Sequence, residues 1–171
     1  MTEAKEQKQP IYLTMRMKPP WVFIDELRRF VESFCACACP ECDREAQLAL
    51  TVHELMQNAV PHSHDEEVEL TLEVEPAVDR VAVSISNACT DDEFNALAAR
   101  VQRMNREPDA LQHYLRAMEE APAHTRGGLG LARIRYEAQL DLSVSRSWGR
   151  LTVHAFGKLH VQPLRLPGGI R

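Results

Sequence analysis

The chain has 171 residues, 44% of them apolar and 26% charged, and a formal net charge of −5. These totals suit one globular domain with its own core, and the acidic balance argues against a nucleic-acid binder that rests on clustered Lys and Arg. No apolar run approaches the ~20 residues a bilayer span needs, and the polar stretch Met1 to Gln9 lacks a signal peptide's apolar core, so the expected setting is cytoplasmic, without membrane or nucleic-acid partners.

Ile11 to Met17 reads as a strand that ends before Pro19-Pro20. Ile24, Leu27, Phe30, Val31 and Phe34 recur at helical spacing and predict a helix from near Trp21 or Val22. It fades at the cysteine cluster, where Pro40 forbids a smooth continuation. A second helix is expected from about Asp43 to Pro61, with Asp43 as N-cap and Leu48, Val52, Leu55, Met56 and Ala59 as its buried stripe. Val68, Leu70, Leu72 and Val74 alternate with polar neighbours, and Val81, Val83 and Ile85 repeat the period after a turn at Pro76 to Asp79, which gives a hairpin. Asp91 to Pro122 turns helical again, split near Pro108, and another helix runs from about Leu129 to Ala138. Strands Leu140 to Arg146 and Leu151 to Phe156 follow, joined at Trp148-Gly149. Residues 1–160 read as one domain and residues 161–171 as a loose tail. The order predicts an α+β fold: a two-layer sandwich, with helices on one face of a mixed, mostly antiparallel sheet.

Two separate segments carry chemistry. In His53-Glu54-Leu55-Met56-Gln57-Asn58-Ala59-Val60-Pro61-His62, Glu54 and Asn58 are four apart and project from one helix face, with His62 a further turn on. A carboxylate so placed can orient and deprotonate a nucleophile, and a neighbouring amide oxygen can ligate Mg2+ beside phosphates. The bland alternative is an amphipathic helix with ordinary polar positions. In Thr125-Arg126-Gly127-Gly128-Leu129-Gly130, glycines let backbone N–H groups approach an anion at the start of a helix, and Thr125 can add a hydroxyl. The alternative there is a plain connecting turn.

Together these segments resemble the N box and second glycine box of the GHKL (Bergerat-fold) ATP-binding superfamily. That resemblance implies ATP and Mg2+ as cofactors, Glu54 as catalytic base, Asn58 on the metal, and His62, Thr125, Arg126, Gly127, Gly128, Leu129 and Gly130 around the nucleotide. The superfamily's adenine-reading Asp falls, in phase from Val81, Val83 and Ile85, at Asn87, with Cys89 and Asp91 where glycines usually stand. A neutral Asn oxygen accepts the same hydrogen bond about half as strongly, so weakened or lost ATP binding is implied, and Asn87→Asp is expected to tighten it. The run Ser84-Ile85-Ser86-Asn87, a helical insert with Leu97, Met104-Asn105, Leu111 and Tyr114, and then the glycine box is similar to SiaB-type serine/threonine kinases. The similarity spans roughly Ala46 to Ser147. It implies transfer to a Ser or Thr of a protein partner, a STAS-like antagonist or a sigma-factor-type regulator, with Thr90 to Thr125 as a lid and a homodimer as a further expectation. The second hypothesis is a degenerate member that binds a partner without phosphoryl transfer.

Four of the five cysteines fall between Cys35 and Cys42, and only Cys39 and Cys42 have knuckle spacing. Reduced thiols packed as small core residues are the favoured reading, with a metal or redox sensor as a third hypothesis. His64 reads as a dipole partner at a helix end. Arg126 is a candidate for phosphate or an acidic partner, whereas Arg133 and Arg135 read as solvated.

Overall fold

The computed structural model describes residues 9–18, 20–40, 42–63, 67–120 and 129–160. Five strands, β1 (Ile11–Met17), β2 (Val68–Glu75), β3 (Arg80–Ala88), β4 (Asp141–Ser147) and β5 (Arg150–Lys158), form one sheet in the order β1-β2-β3-β5-β4. Every pairing is antiparallel, so the sheet expected to be mixed contains no parallel pair. The helices are α1 (Phe23–Ala38), α2 (Glu45–Ala59), α3 (Asp91–Arg106), α4 (Ala110–Glu120) and α5 (Gly130–Tyr136). The α+β, two-layer plan read from the sequence is the architecture of the chain.

Alternation decides which sheet face meets the helices. Val68, Leu70, Leu72, Val74, Val81, Val83, Ile85, Leu142, Val153 and Ala155 are buried, while their strand neighbours are at least partly open. Ile24, Leu27, Val31 and Cys35 on α1 and Leu48, Val52, Leu55, Met56 and Ala59 on α2 close the core from the other side. Asn87 follows Val81, Val83 and Ile85 inward and is only 3% exposed.

Two local expectations are corrected. Asp43 does not cap α2: it has φ 46°, and Arg44 takes the cap position without a side-chain cap bond. Arg44 is 0% exposed and donates from its guanidinium to the carbonyls of Ala138 and Lys158, tying the start of α2 to the ends of α5 and β5. Cys39 and Cys42, expected as thiols, are joined in a disulfide, and both pack in the core with Cys35. Burial, helped by Glu45, pushes the Cys35 thiol up to about 12. Among the described residues no group of three or more His, Cys, Asp or Glu converges as metal ligands.

The β4–β5 hairpin turns through Trp148 (φ 51°) and Gly149 (φ 74°), the pair of positive φ values a type I′ turn demands. Glycine carries that geometry freely. Trp148 carries it under strain and is 99% exposed. No helix among the described residues is long and apolar enough to cross a membrane. His64 and the expected tail, residues 161–171, lie outside the described residues.

Candidate functional site

Helix α2 runs under the centre of the domain, packed against α1, α5 and β3. Because it is covered on most sides, Glu54 is carried inward with its apolar neighbours and is 7% exposed. One turn on, Asn58 donates Nδ2 to the carbonyl of Glu54 at 2.8 Å. Only a nitrogen can face a carbonyl oxygen in this way, so Oδ1 is the acceptor Asn58 retains.

Asn58 lines a cavity of about 280 Å³ enclosed by α2, β3, β5 and α3. Its walls are mostly apolar, with Leu55, Ala59, Ile85, Leu97, Leu151 and Val153, and Asn87 is among the few polar residues in it. Asn87 Nδ2 donates to the carbonyls of His62 (3.3 Å) and Ala88 (3.0 Å), which fixes the amide and leaves Oδ1 as an acceptor. His62 sits in a 3₁₀ turn, Val60–His62, at the cavity rim, with its ring 3.7 Å from Glu93.

Where the superfamily carries glycines, this chain starts a helix. Thr90 is the N-cap of α3 and forms a capping box with Glu93: Thr90 Oγ1 accepts from the Glu93 amide, and Glu93 Oε2 accepts from the Thr90 amide. Asp91 pairs with Arg146 from β4. The rim there is therefore a capped helix, and Glu93, Ala96, Leu97 and Arg100 of α3 line one side of the cavity. Cys89 lines the cavity too, and burial raises its thiol above the usual range, which makes it a poor nucleophile.

On the far side of Glu54, α5 comes very close. A Cβ on Gly130 would lie 2.6 Å from Glu54 Oε2, so any larger residue would require the Glu54 carboxylate to shift. Arg133, three residues on, donates Nη1 to Glu54 Oε1 at 2.5 Å and pairs through Nε with Glu137 at 3.1 Å. Its pKa is raised first by the bond to Glu137 and then by Glu54, against the opposing effect of burial. Arg135 donates to the carbonyls of Met104 and Glu107 at the C-terminal end of α3. Both arginines, read from the sequence as solvated, are engaged.

A family model described as "Histidine kinase-like ATPase domain" matches residues 23–140, more than half of the chain. The chain belongs to the histidine kinase-like ATPase family. This domain also shares its fold with a chain of the crystal structure of the SiaB–SiaC complex from Pseudomonas aeruginosa, at TM-score 0.66 and 16% identity over 84% of this chain and 88% of that one. The nucleotide-free catalytic domain of the histidine kinase ThkA aligns at TM-score 0.39 and 14% identity, over 89% of this chain and 99% of that one. None of the curated proteins compared with the chain matches it.

Within this ATPase domain, the structure brings Asn58, His62 and Asn87 to one cavity. Glu54 lies one helical turn from Asn58, beside Gly130, with Leu129 next in the chain. Thr125, Arg126, Gly127 and Gly128 lie outside the described residues. Sequence reasoning missed Arg133 as a neighbour of Glu54. The signal for it was Glu137 four residues on, which marks a helical ion pair without locating it.

Proposed function

We propose that this domain binds Mg2+-ATP and acts as a regulatory serine/threonine kinase on a protein partner. The observation that carries the reading is the convergence of Asn58 and Asn87 on one cavity, one turn from a buried Glu54, in a histidine kinase-like ATPase domain. The donor set fits a nucleotide. Asn87 Oδ1 suits a base amino group among apolar walls, and Asn58 Oδ1 is a hard oxygen suited to Mg2+. When bound, Mg2+-ATP supplies a phosphoryl group whose charge the metal screens.

The protein's own groups take the remaining roles. Glu54 accepts the proton of an incoming Ser or Thr hydroxyl. Asn58 holds the metal, Asn87 and the apolar walls hold the base, and α3 forms one wall of the cavity. The fold it shares with a chain of a two-protein complex supports a protein partner, of the STAS-like antagonist or sigma-factor-type regulator class, with a homodimer as an additional arrangement.

A second reading, a binding module without transfer, is favoured by the capping box that stands in place of the glycine loop and by Asn87 at the Asp position. Melting curves with and without millimolar Mg2+-ATP separate the two. Ligand at ~100 times its Kd adds about 2.7 kcal/mol, a rise of several degrees that Asn58→Ala should abolish. No shift and no calorimetric heat would leave the binding-module reading standing.

A further inference from the structure

The carboxylate read as a base is hemmed in at both oxygens. Oε1 accepts from Arg133 Nη1 at 2.5 Å, and Oε2 faces Gly130 so closely that a Cβ there would stand 2.6 Å from it. A carboxylate oxygen that already accepts a guanidinium N–H is not free to meet a second donor such as an incoming hydroxyl. Gly130 is main chain at the start of α5 and cannot step aside by a side-chain rotation. Arg133 can.

The rest of the guanidinium is arranged for such a step. Nε and Nη2 hold the two oxygens of Glu137 at 3.1 and 3.3 Å, a fork-to-carboxylate grip within one helix. Glu54 is thus held by one donor, while the arm stays seated on Glu137 whether or not that donor is used. Releasing Glu54 costs one charge-assisted bond and leaves the arm in place.

We propose that Arg133 is a latch on Glu54, opened by a nucleoside triphosphate. In the nucleotide-free protein Arg133 Nη1 holds Glu54 Oε1 in an ion pair, so that this oxygen is not open to an incoming hydroxyl. A terminal phosphoryl oxygen takes over Nη1, for which an arginine donor is well matched, and Glu54 is freed to receive a proton. Arg133 is a positioning residue in this scheme, acting through Glu54. The inference rests on the nucleotide-binding reading above.

Calorimetric titration of Mg2+-ATP and Mg2+-ADP tests it without any activity assay. In wild type Glu54 competes with the terminal phosphate for Arg133. Glu54→Gln, which keeps the shape but removes the charge, should therefore tighten ATP roughly tenfold, the worth of one hydrogen bond to a charged group, and leave ADP unchanged. Arg133→Gln should cut the preference for ATP over ADP by a similar factor, and Arg133→Lys should restore part of it. If Arg133→Gln does not fold, Arg133→Lys replaces it: loss of the Glu54 charge by itself favours the more anionic ATP in any background, whereas the latch requires the gain from Glu54→Gln to shrink when Arg133 is lysine. Wild type that binds ATP with an ATP-to-ADP ratio unmoved by Glu54→Gln overturns the latch alone. Wild type that binds neither nucleotide overturns the nucleotide reading and the latch with it.

Discussion

Gly130 and Glu54 are in contact at the junction of α5 and α2, so close that a methyl group on Gly130 would sit 2.6 Å from the buried Glu54 carboxylate. The sequence pattern assigns Gly130 to an anion-binding turn. The structure gives it a second duty, letting α5 approach α2. Gly130→Ala brings two opposed effects. Alanine favours a helix over glycine by about 0.5–1 kcal/mol, while crowding into a packed site costs typically 1–3 kcal/mol. The carboxylate is the flexible end of its side chain, yet any shift disturbs its bond to Arg133. We expect a net loss of stability in urea unfolding that turns into a small gain in a Glu54→Ala background, where the obstruction is gone. Equal effects in both backgrounds would refute the contact.

Asn87→Asp was expected from the sequence to tighten ATP binding. The bonds that Asn87 makes in the structure argue for a different outcome. Asn87 Nδ2 is a donor to two backbone carbonyls, and a carboxylate would set an anionic oxygen against both. Each of these part-buried hydrogen bonds contributes about 0.5–1.5 kcal/mol, lost before any charge repulsion is added. The variant should therefore melt well below wild type at neutral pH and bind nucleotide no more tightly. A more stable or tighter-binding variant would show that the amide is turned the other way.

Much of this was legible in the sequence because it rests on periodicity. Alternation from Val81 through Ile85 put Asn87 inward, and spacing put Glu54 and Asn58 on one helix face. The capping box Thr90-Asp91-Asp92-Glu93 was equally local, but counting glycine positions through the same residues concealed it. The arginines were not legible. Arg133 meets Glu54 across 79 positions, and Arg44 meets Ala138 across 94. Composition ranks arginine with the surface residues, and only the packing of α2 on α5 brings the partners together.

Arg44 carries the third prediction. Its guanidinium is fully buried between the carbonyls of Ala138 and Lys158, and burial lowers its pKa despite the help of Asp79. Arg44→Met fills a similar space but leaves both carbonyls without that donor, a loss of about 2–5 kcal/mol. Arg44→Lys, with a single ammonium and no fork, should recover only part of it. Chemical denaturation of both variants checks the order, and a methionine variant as stable as wild type would mean that the two carbonyls find other partners.

The last prediction concerns pH. On the sheet face opposite the helices, His154 lies between Ser84 Oγ and Ser145 Oγ, each 2.9 Å from a ring nitrogen. Burial lowers its pKa from the ordinary 6.5, with Glu73 opposing. A folded-state pKa below the unfolded value means that the unfolded chain takes up protons first as pH falls. The stabilisation is therefore complete above the unfolded value and is lost as pH drops through the folded one. His113, lowered by burial and by Arg135, acts with the same sign. Asp79, held low by His160, follows the same rule further into the acid range, below the ordinary carboxylate value of 3.8. Urea midpoints should thus fall as pH is taken from about 7.5 to about 5.5, the interval of histidine titration, and fall less steeply in His154→Gln. A slope identical in that variant would assign the whole effect to His113 and other groups, and would remove His154 from the account.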